Sequence, residues 1–196
     1  MEKMTNRPCL DMEKAIKLLS ANLSSLGVSE GDIGVVLSQA FIGWFSRSMA
    51  TAIFVFCKDA DGDWCVLASE RGEEAADFRG MWNCPCGYLD FDETTKECAV
   101  RECFEETGVK LDPSQLTFIN YEDDPVTANR QNVTFRFGVR ITNKVTTDFE
   151  FSKKNNEGKE VGEIKWVKMN DIDNYEWAFN HKTRINEIYL YFSNLD

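Results

Sequence analysis

The sequence predicts an α/β fold in which a β-rich domain over residues 46–196 follows a helical N-terminal extension over residues 1–45. Three observations predict it. Apolar residues recur at helical spacing in the first 45 residues, short β-type runs begin at Met49, and a strongly capped helix lies among those runs. A chain of 196 residues with 43% hydrophobic content suits one domain with a small appendage.

The extension is predicted from two apolar stripes. Apolar residues between Leu10 and Leu23, among them Ile16 and Leu19, lie roughly on one stripe of a helix that Gly27 can end. A second helix begins after Ser29 and runs towards residue 44. No chemical motif lies in this segment. We expect it to pack either on the main domain or on a second subunit. The sequence does not decide between these, so a homodimer formed through residues 1–45 is one of two alternatives.

The β-rich part is predicted from runs of two kinds. Residues 52–57 form a continuous apolar run, typical of a strand covered on both faces, and residues 133–141 alternate apolar with polar side chains. Further strands are expected at 64–68 and 164–167, and a closing helix at 176–192. The order of strands and helices predicts an α/β domain.

Composition restricts the partners. The chain has 33 Asp and Glu against 22 Lys and Arg, a net charge of −11. This balance argues against non-specific binding to nucleic acid or anionic membranes, which requires a positive surface. A phosphorylated ligand would need help from a cation. The sequence has no apolar run of the roughly 20 residues that a bilayer span needs and no apolar signal core at its start, so a cytoplasmic location is expected.

The seven cysteines are an odd number in a chain without an export signal, which predicts reduced thiols. Only one residue separates Cys84 from Cys86, whereas two to four residues usually separate paired zinc ligands. His181 is the only histidine and is expected to be structural. Burial as small apolar side chains is therefore favoured over a zinc site.

The chemistry concentrates in residues 87–109, which contain seven acidic and two basic side chains. Thr94 and Glu97 form a capping-box pattern and Gly108 is a helix stop, so a helix of about thirteen residues is predicted between them. At 100° per residue, three glutamates of this helix fall on one side: Glu102, Glu105 and Glu106.

Carboxylates crowded in this way repel one another, so a compensating positive charge is expected. Oxygen-only ligands favour a hard divalent cation, and Mg²⁺ is commonly held by a few carboxylates together with substrate phosphates. Arg101 lies four residues from both Glu97 and Glu105 and can also hold neighbouring carboxylates. A solvated acidic helix face is the alternative.

The spacing of the segment is more particular than that of an acidic run. It follows G-x5-E-x7-R-E-U-x-E-E-x-G-U, where U is a bulky aliphatic residue, and its fixed positions are Gly87, Glu93, Arg101, Glu102, Glu105, Glu106 and Gly108. This pattern resembles the signature of the Nudix hydrolases. The chain departs from it in two places: Cys103 occupies the first U position, and Cys86 replaces the first of two glycines that commonly precede the signature.

The resemblance implies an α/β/α sandwich with a mixed sheet, and hydrolysis of a diphosphate that joins a nucleoside to another group, with Mg²⁺ or Mn²⁺. By similarity, Glu102, Glu105 and Glu106 bind the metal together with the backbone carbonyl of Cys86. The residues that it implies for catalysis are Glu93, Arg101, Glu102 and Glu105. Glu93 and Arg101 would orient the helix and its carboxylates.

Hydroxide attack on phosphorus needs a proton acceptor. The sequence offers Glu102 and three glutamates before the last strand, Glu157, Glu160 and Glu163, and does not choose among them. Arginines that could bind phosphate are Arg71, Arg79, Arg130 and Arg136.

The substrate is the least determined feature. Pro125 lies 16 residues beyond Val109, a placement similar to that in ADP-ribose pyrophosphatases, which favours an ADP-ribose-like substrate. Two alternatives stay open: a Nudix-fold nucleotide-binding regulatory module without turnover, and an RNA-end-processing hydrolase. The module would be expected to lose signature carboxylates, and the RNA enzyme to carry a basic groove.

Overall fold

The computed structural model describes residues 17, 21–27, 29, 48–124, 132–152 and 160–194. The chain divides into two units, Met1–Ser46 and Arg47–Asp196. In the first unit, residues 21–25 are helical and Gly27 has the left-handed φ of 81° expected where a helix ends. The predicted helix after Ser29 lies outside the described residues. The division at residues 45 and 46 and the homodimer remain predictions.

The second unit contains one sheet of seven strands. The strands are β1 (Met49–Lys58), β2 (Trp64–Arg71), β3 (Trp82–Asn83), β4 (Cys86–Tyr88), β5 (Thr117–Glu122), β6 (Val133–Val145) and β7 (Val161–Lys168). β1 is parallel to β6, and all other pairs are antiparallel, so the sheet is mixed.

The sheet forks at its centre. β1 pairs with β2 only at residues 56–58 and pairs with β4 at residues 50–52, while β3 pairs with the far end of β2. The two short strands β3 and β4 therefore lie between diverging β1 and β2. Within the fork, the backbone N–H of Ile53 donates to the carbonyl of Pro85 at 2.9 Å, which fixes the loop between β3 and β4.

Helices cover both faces of the sheet. Phe54 and Phe56 of β1 pack with helix α2 (His181–Ser193), whereas Ile53 and Val55 pack with the face covered by helix α1 (Thr95–Thr107). This alternation explains the continuous apolar run at 52–57, because both faces of β1 are buried. The predicted α/β/α sandwich with a mixed sheet is confirmed.

Helix α1 has the predicted limits. The hydroxyl of Thr94 accepts from the backbone N–H of Glu97, and the Glu97 carboxylate accepts from the backbone N–H of Thr94, which completes the capping box. Gly108 closes the helix at φ 80°. Ala99 and Cys103 are fully buried against the sheet, so the small residue Cys103 allows a close approach.

The predicted closing helix at 176–192 begins too early. The helix starts only at His181, because residues before it pair with the sheet: Trp177 forms a bridge with Trp82, and Phe179 and Asn180 have left-handed φ values of 55° and 58°. A helical period in the side chains cannot show this pairing. The three predicted strands at 64–68, 133–141 and 164–167 are confirmed but extend further in the structure.

The six cysteines that the structure describes are free, and all of them except Cys86 are buried. No helix within the described ranges is long and apolar enough to span a membrane.

Candidate functional site

A cavity of ≈ 970 Å³ opens where the signature helix meets the fork in the sheet. Its walls come from the start of β1, the short strands β3 and β4, α1, and the first turn of α2. The volume is typical of sites for small-molecule ligands. Four signature side chains line it: Arg101, Glu102, Glu105 and Glu106.

Arg101 is the electrostatic centre of the α1 wall. Its guanidinium donates to both oxygens of Glu93 at 3.0 and 2.7 Å, to Glu102 at 2.8 Å and to Glu105 at 3.1 Å. It also donates to the carbonyl of Tyr88 at 3.0 Å. The bond to Arg101 lowers the pKa of Glu93 to about 2, so this pair stays ionised. Arg101 therefore joins the α1 carboxylates to the loop before the helix, whereas Glu97 contributes to the helix cap.

Glu102 depends on the absence of a side chain at Gly87. A Cβ atom at Gly87 would overlap the Glu102 carboxylate, so only glycine leaves room for it. Burial raises the pKa of Glu102, and the charge of Arg101 opposes this shift. The requirement for glycine at position 87 is thus explained by the space that the Glu102 carboxylate occupies.

Glu106 is a carboxylate of the cavity wall that has no ion pair among the described residues. It accepts from the backbone N–H of Cys86 at 3.4 Å and from the hydroxyl of Ser69 at 3.3 Å, and both partners are neutral. Burial, followed by the charge of Glu102, raises the pKa of Glu106 to about 8. An anion at this position therefore requires a cation beside it.

The donor set fits Mg²⁺ or Mn²⁺, since it consists of carboxylate oxygens with a backbone segment at Cys86 beside them. Across the described ranges, no three His, Cys, Asp or Glu side chains are arranged to hold a metal ion. Their hydrogen bonds explain this: Glu102 and Glu105 accept from Arg101, whereas Glu106 accepts from the backbone N–H of Cys86. Metal binding would need a rotation of these side chains, and the ligand set remains a prediction.

The opposite wall of the cavity carries arginines. Arg136, from β6, and Arg184, from α2, both donate to Glu122 at 3.3 and 3.4 Å. Arg71, from β2, donates to Asp77 at 2.7 Å and lies over the ring of Phe179, 4.8 Å from its centroid. The cavity therefore places carboxylates on its α1 side and guanidinium groups on its β2, β6 and α2 side.

An aromatic pair stands at the edge of the cavity. The rings of Phe78 and Phe179 meet edge to face with centroids 5.0 Å apart, and both residues have positive φ values of 51° and 55°. Non-glycine residues adopt this conformation rarely, and it is commoner at functional sites.

The structure brings most of the predicted residues together. Arg71 and Glu160 line the same cavity as the signature glutamates. Arg79 does not: its Nε donates to the carbonyl of Ala75 at 2.7 Å, and it lines a separate, smaller cavity. Glu163 is paired with Lys165 at 3.0 Å and is also outside the main cavity. The predictions for Pro125, Arg130 and Glu157 lie outside the described residues.

Sequence reasoning missed two parts of the cavity. Arg184 and the aromatic pair Phe78 and Phe179 were not singled out, and His181 was expected only to pack. The one available signal was the spacing of three between His181 and Arg184, which places them on one side of a helix.

The family model of the NUDIX domain matches residues 48–188, so the chain belongs to the Nudix family. A curated relative, the phosphatase NudJ of Escherichia coli strain K12, is 46% identical over 56 residues. That match covers 26% of this chain and 37% of NudJ.

Solved structures share the fold. The NUDIX domain of Shewanella oneidensis NrtR, complexed with ADP ribose, is 18% identical, has a TM-score of 0.61 and matches over 84% of this chain and 99% of that one. A bifunctional NMN adenylyltransferase/ADP ribose pyrophosphatase from Francisella tularensis, complexed with AMP and a manganese ion, is 18% identical with a TM-score of 0.56, over 90% of this chain and 51% of that one. The two TM-scores show a common fold, and identities of 18% support nothing beyond the fold.

Proposed function

We propose that this protein is a metal-dependent pyrophosphohydrolase that cleaves the diphosphate of a nucleoside diphosphate linked to another group. One observation carries the proposal: a cavity of nucleotide size joins the partly buried carboxylates Glu102 and Glu106 to a wall of arginines. A diphosphate can bind beside carboxylates only if a cation lies between them, and guanidinium groups can bind the other oxygens of the diphosphate. Family membership and the intact signature support the same reaction.

The proposed metal ligands are the carboxylates of Glu102, Glu105 and Glu106 with the backbone carbonyl of Cys86. When bound, Mg²⁺ or Mn²⁺ neutralises phosphate charge and lowers the pKa of water. Arg101 and Glu93 are positioning residues, because they hold the α1 carboxylates and the preceding loop in one network. Arg71 is proposed to bind phosphate from the opposite wall.

A carboxylate must receive the proton of the attacking water. Glu102 and Glu160 both line the cavity, whereas Glu163 does not. We therefore place the proton acceptor at Glu102 or Glu160. A Glu160→Gln variant that retains full kcat across the pH range assigns the role to Glu102.

An ADP-ribose-like molecule is the favoured substrate. Two fold neighbours carry related ligands, ADP ribose in one case and AMP in the other. The exposed ring of Phe78 at the cavity edge offers a surface for a base. The Pro125 placement in the sequence points in the same direction.

The test is a hydrolysis assay with Mg²⁺, Mn²⁺ or EDTA on a substrate panel: ADP-ribose, ADP-glucose, UDP-glucose, diadenosine tetraphosphate, nucleoside triphosphates and 5′-triphosphorylated RNA. We expect release of a nucleoside monophosphate from a diphosphate derivative, which EDTA abolishes. Preference for the RNA would favour an RNA-end-processing hydrolase. Absence of turnover on every substrate would contradict the proposal.

A nucleotide-binding module without turnover is the second candidate. The observation that favours it is the engagement of Glu102 and Glu105 by Arg101, which holds two of the three signature glutamates in ion pairs. The assay above separates the two functions when it is combined with calorimetric binding of ADP-ribose: tight binding without hydrolysis in either metal indicates the module.

A further inference from the structure

The first turn of α2 places two side chains at the cavity, and among the described residues each of them has a hydrogen-bond donor without an acceptor. They belong to His181 and Arg184, which are three residues apart and therefore lie on the same side of the helix. Neither residue belongs to the signature. They lie on the helix that covers the opposite face of the sheet from α1.

His181 carries its donor on Nε2. Its side chain is almost wholly buried, at 6% exposure, and its Nδ1 accepts from the backbone N–H of Cys84 at 3.0 Å. Accepting at Nδ1 requires a lone pair there, so the neutral ring carries its proton on Nε2. Burial lowers the pKa of His181 to about 3, which keeps the ring neutral at physiological pH. Within the part of the chain that the structure describes, the Nε2–H group has no acceptor.

Arg184 supplies the second donor. Its Nη1 donates to Glu187 at 2.7 Å and its Nη2 to Glu122 at 3.4 Å, but its Nε is buried and has no partner among the described residues. Since Nε is covered in this conformation, a ligand in the cavity would contact the Arg184 guanidinium at its Nη groups.

The charge around these donors selects the kind of acceptor. Three guanidinium groups, those of Arg71, Arg136 and Arg184, lie close enough to disfavour a positive charge on His181. Their carboxylate partners are Asp77, Glu122 and Glu187. The α2 N-terminus adds its own partial positive charge, and Asn180 does not cap it with a side-chain bond. An acceptor that carries negative charge and no proton fits this position.

We propose that His181 Nε2–H and the guanidinium of Arg184 form a phosphate-binding subsite on the α2 side of the cavity. The inference rests on the proposed function only in naming a nucleotide phosphate as the occupant. The α1 carboxylates would take the metal-bearing part of the ligand, and the α2 turn would bind phosphate oxygens directly. His181 and Arg184 thereby determine specificity for a phosphorylated ligand over a neutral one.

The test uses the single histidine as a reporter. Protein labelled with ¹⁵N-histidine and kept metal-free in EDTA is titrated with inorganic phosphate, with AMP and with adenosine, and the ring ¹⁵N and ¹H signals are followed by NMR. We expect phosphate and AMP to shift the Nε2 signal and adenosine to leave it in place. A shift with AMP alone identifies the nucleotide as the source of the phosphate.

Two variants separate hydrogen bonding from charge and packing. Arg184→Lys retains the positive charge but removes the planar guanidinium. His181→Asn retains an acceptor for the Cys84 N–H group but removes the Nε2–H group. Each is expected to weaken calorimetric AMP binding about tenfold, the effect of one charge-assisted hydrogen bond. Lys182→Ala is the matched control, since Lys182 is in the same turn but pairs with Asp173 and does not line the cavity.

Two results would overturn the subsite: a His181 signal that does not respond to phosphate or AMP, or an equal response to adenosine, which would indicate recognition of the base or sugar. Unchanged AMP affinity in Arg184→Lys would do the same. Because binding is measured without metal or turnover, an inactive protein can still show the subsite, and an active protein can lack it.

Discussion

Arg101 and Glu106 are close in sequence and opposite in their surroundings. Arg101 has three carboxylate partners within 3.1 Å, whereas Glu106 has only a backbone N–H group and a hydroxyl. The positive charge of Arg101 is balanced by carboxylates of the protein, whereas a negative charge on Glu106 has no cationic partner among its hydrogen bonds. This contrast at the residue scale makes Glu106 the carboxylate whose ionisation depends most on an added cation.

Glu106→Gln is expected to reduce kcat by at least about a hundredfold and to leave the protein folded. The variant should also gain stability at neutral pH. Because the pKa of Glu106 is about 8 in the folded state and near 4.5 when unfolded, ionisation destabilises the fold increasingly as pH rises from 4.5 to 8. The free energy of unfolding, measured with urea without metal at pH 5 and pH 7.5, should favour the variant by about 1–3 kcal/mol more at pH 7.5.

Glu97→Gln is the matched control for that substitution. It makes the same chemical change on the same helix, but Glu97 caps the helix at Thr94 and does not line the cavity. Its kcat should equal that of the wild type. Equal losses in both variants would show that the effect of Glu106→Gln is not local.

His181 is expected to remain neutral far below the usual histidine range. Its pKa of about 3 lies below the unfolded value, so the unfolded state binds more protons between pH 3 and 6.5, and stability contributed by this group is lost as pH falls through that window. An NMR titration of the single ring follows it directly. A midpoint near 6.5 in the folded, ligand-free protein would show that the ring is solvated.

Gly87→Ala tests the space that Glu102 occupies. The added methyl group overlaps the end of a flexible carboxylate, so the side chain of Glu102 must move and the fold is retained. We expect kcat/KM to fall about tenfold or more while the melting temperature changes little. Wild-type kinetics in this variant would mean that the position of Glu102 is not important for turnover.

Helix α1 is the element that the sequence predicted best, because its signals are local. Thr94, Glu97 and Gly108 act within a few residues of the helix ends, and the structure confirms all three. The start of α2 was predicted wrongly because a distant partner decides it: Trp82 pairs with Trp177 and delays the helix. The fork of the sheet was not predicted either, since β3 and β4 have only two and three residues.

Gly108→Ala is expected to destabilise the protein more than the same change at Gly62. Both glycines have left-handed φ values, of 80° and 91°, which cost an alanine about 1–2 kcal/mol. At Gly108 the new Cβ would also lie 2.7 Å from the backbone nitrogen of Ser152, whereas at Gly62 nothing lies within 4 Å. Urea unfolding should therefore show a larger loss at Gly108, and equal losses would contradict the close approach.

At the scale of the whole domain, the cavity unites residues that the sequence separates widely. Glu102 and Arg184 come from helices on opposite faces of the sheet. They line the same cavity because the sheet forks between them. The carboxylate half was predictable because the spacing of a single helix defines it. The arginine half was not, because it depends on strand order and on the fold of the chain before α2.

Cytoplasmic location and a homodimer through residues 1–45 remain predictions about the whole molecule. The acidic net charge of −11 makes the arginine wall of the cavity a local exception. A cation bound by the α1 carboxylates would reduce the negative charge of the other wall. The proposed function requires such a cation.

The most direct test is anomalous diffraction from crystals soaked in millimolar Mn²⁺. We expect an anomalous peak in the cavity, within about 2.0–2.3 Å of oxygens of Glu102 and Glu106, and a weaker peak or none in the Glu106→Gln crystal. A well-ordered cavity without manganese signal in the wild-type crystal, with Arg101 still bound to Glu102 and Glu105, would contradict the proposed metal site.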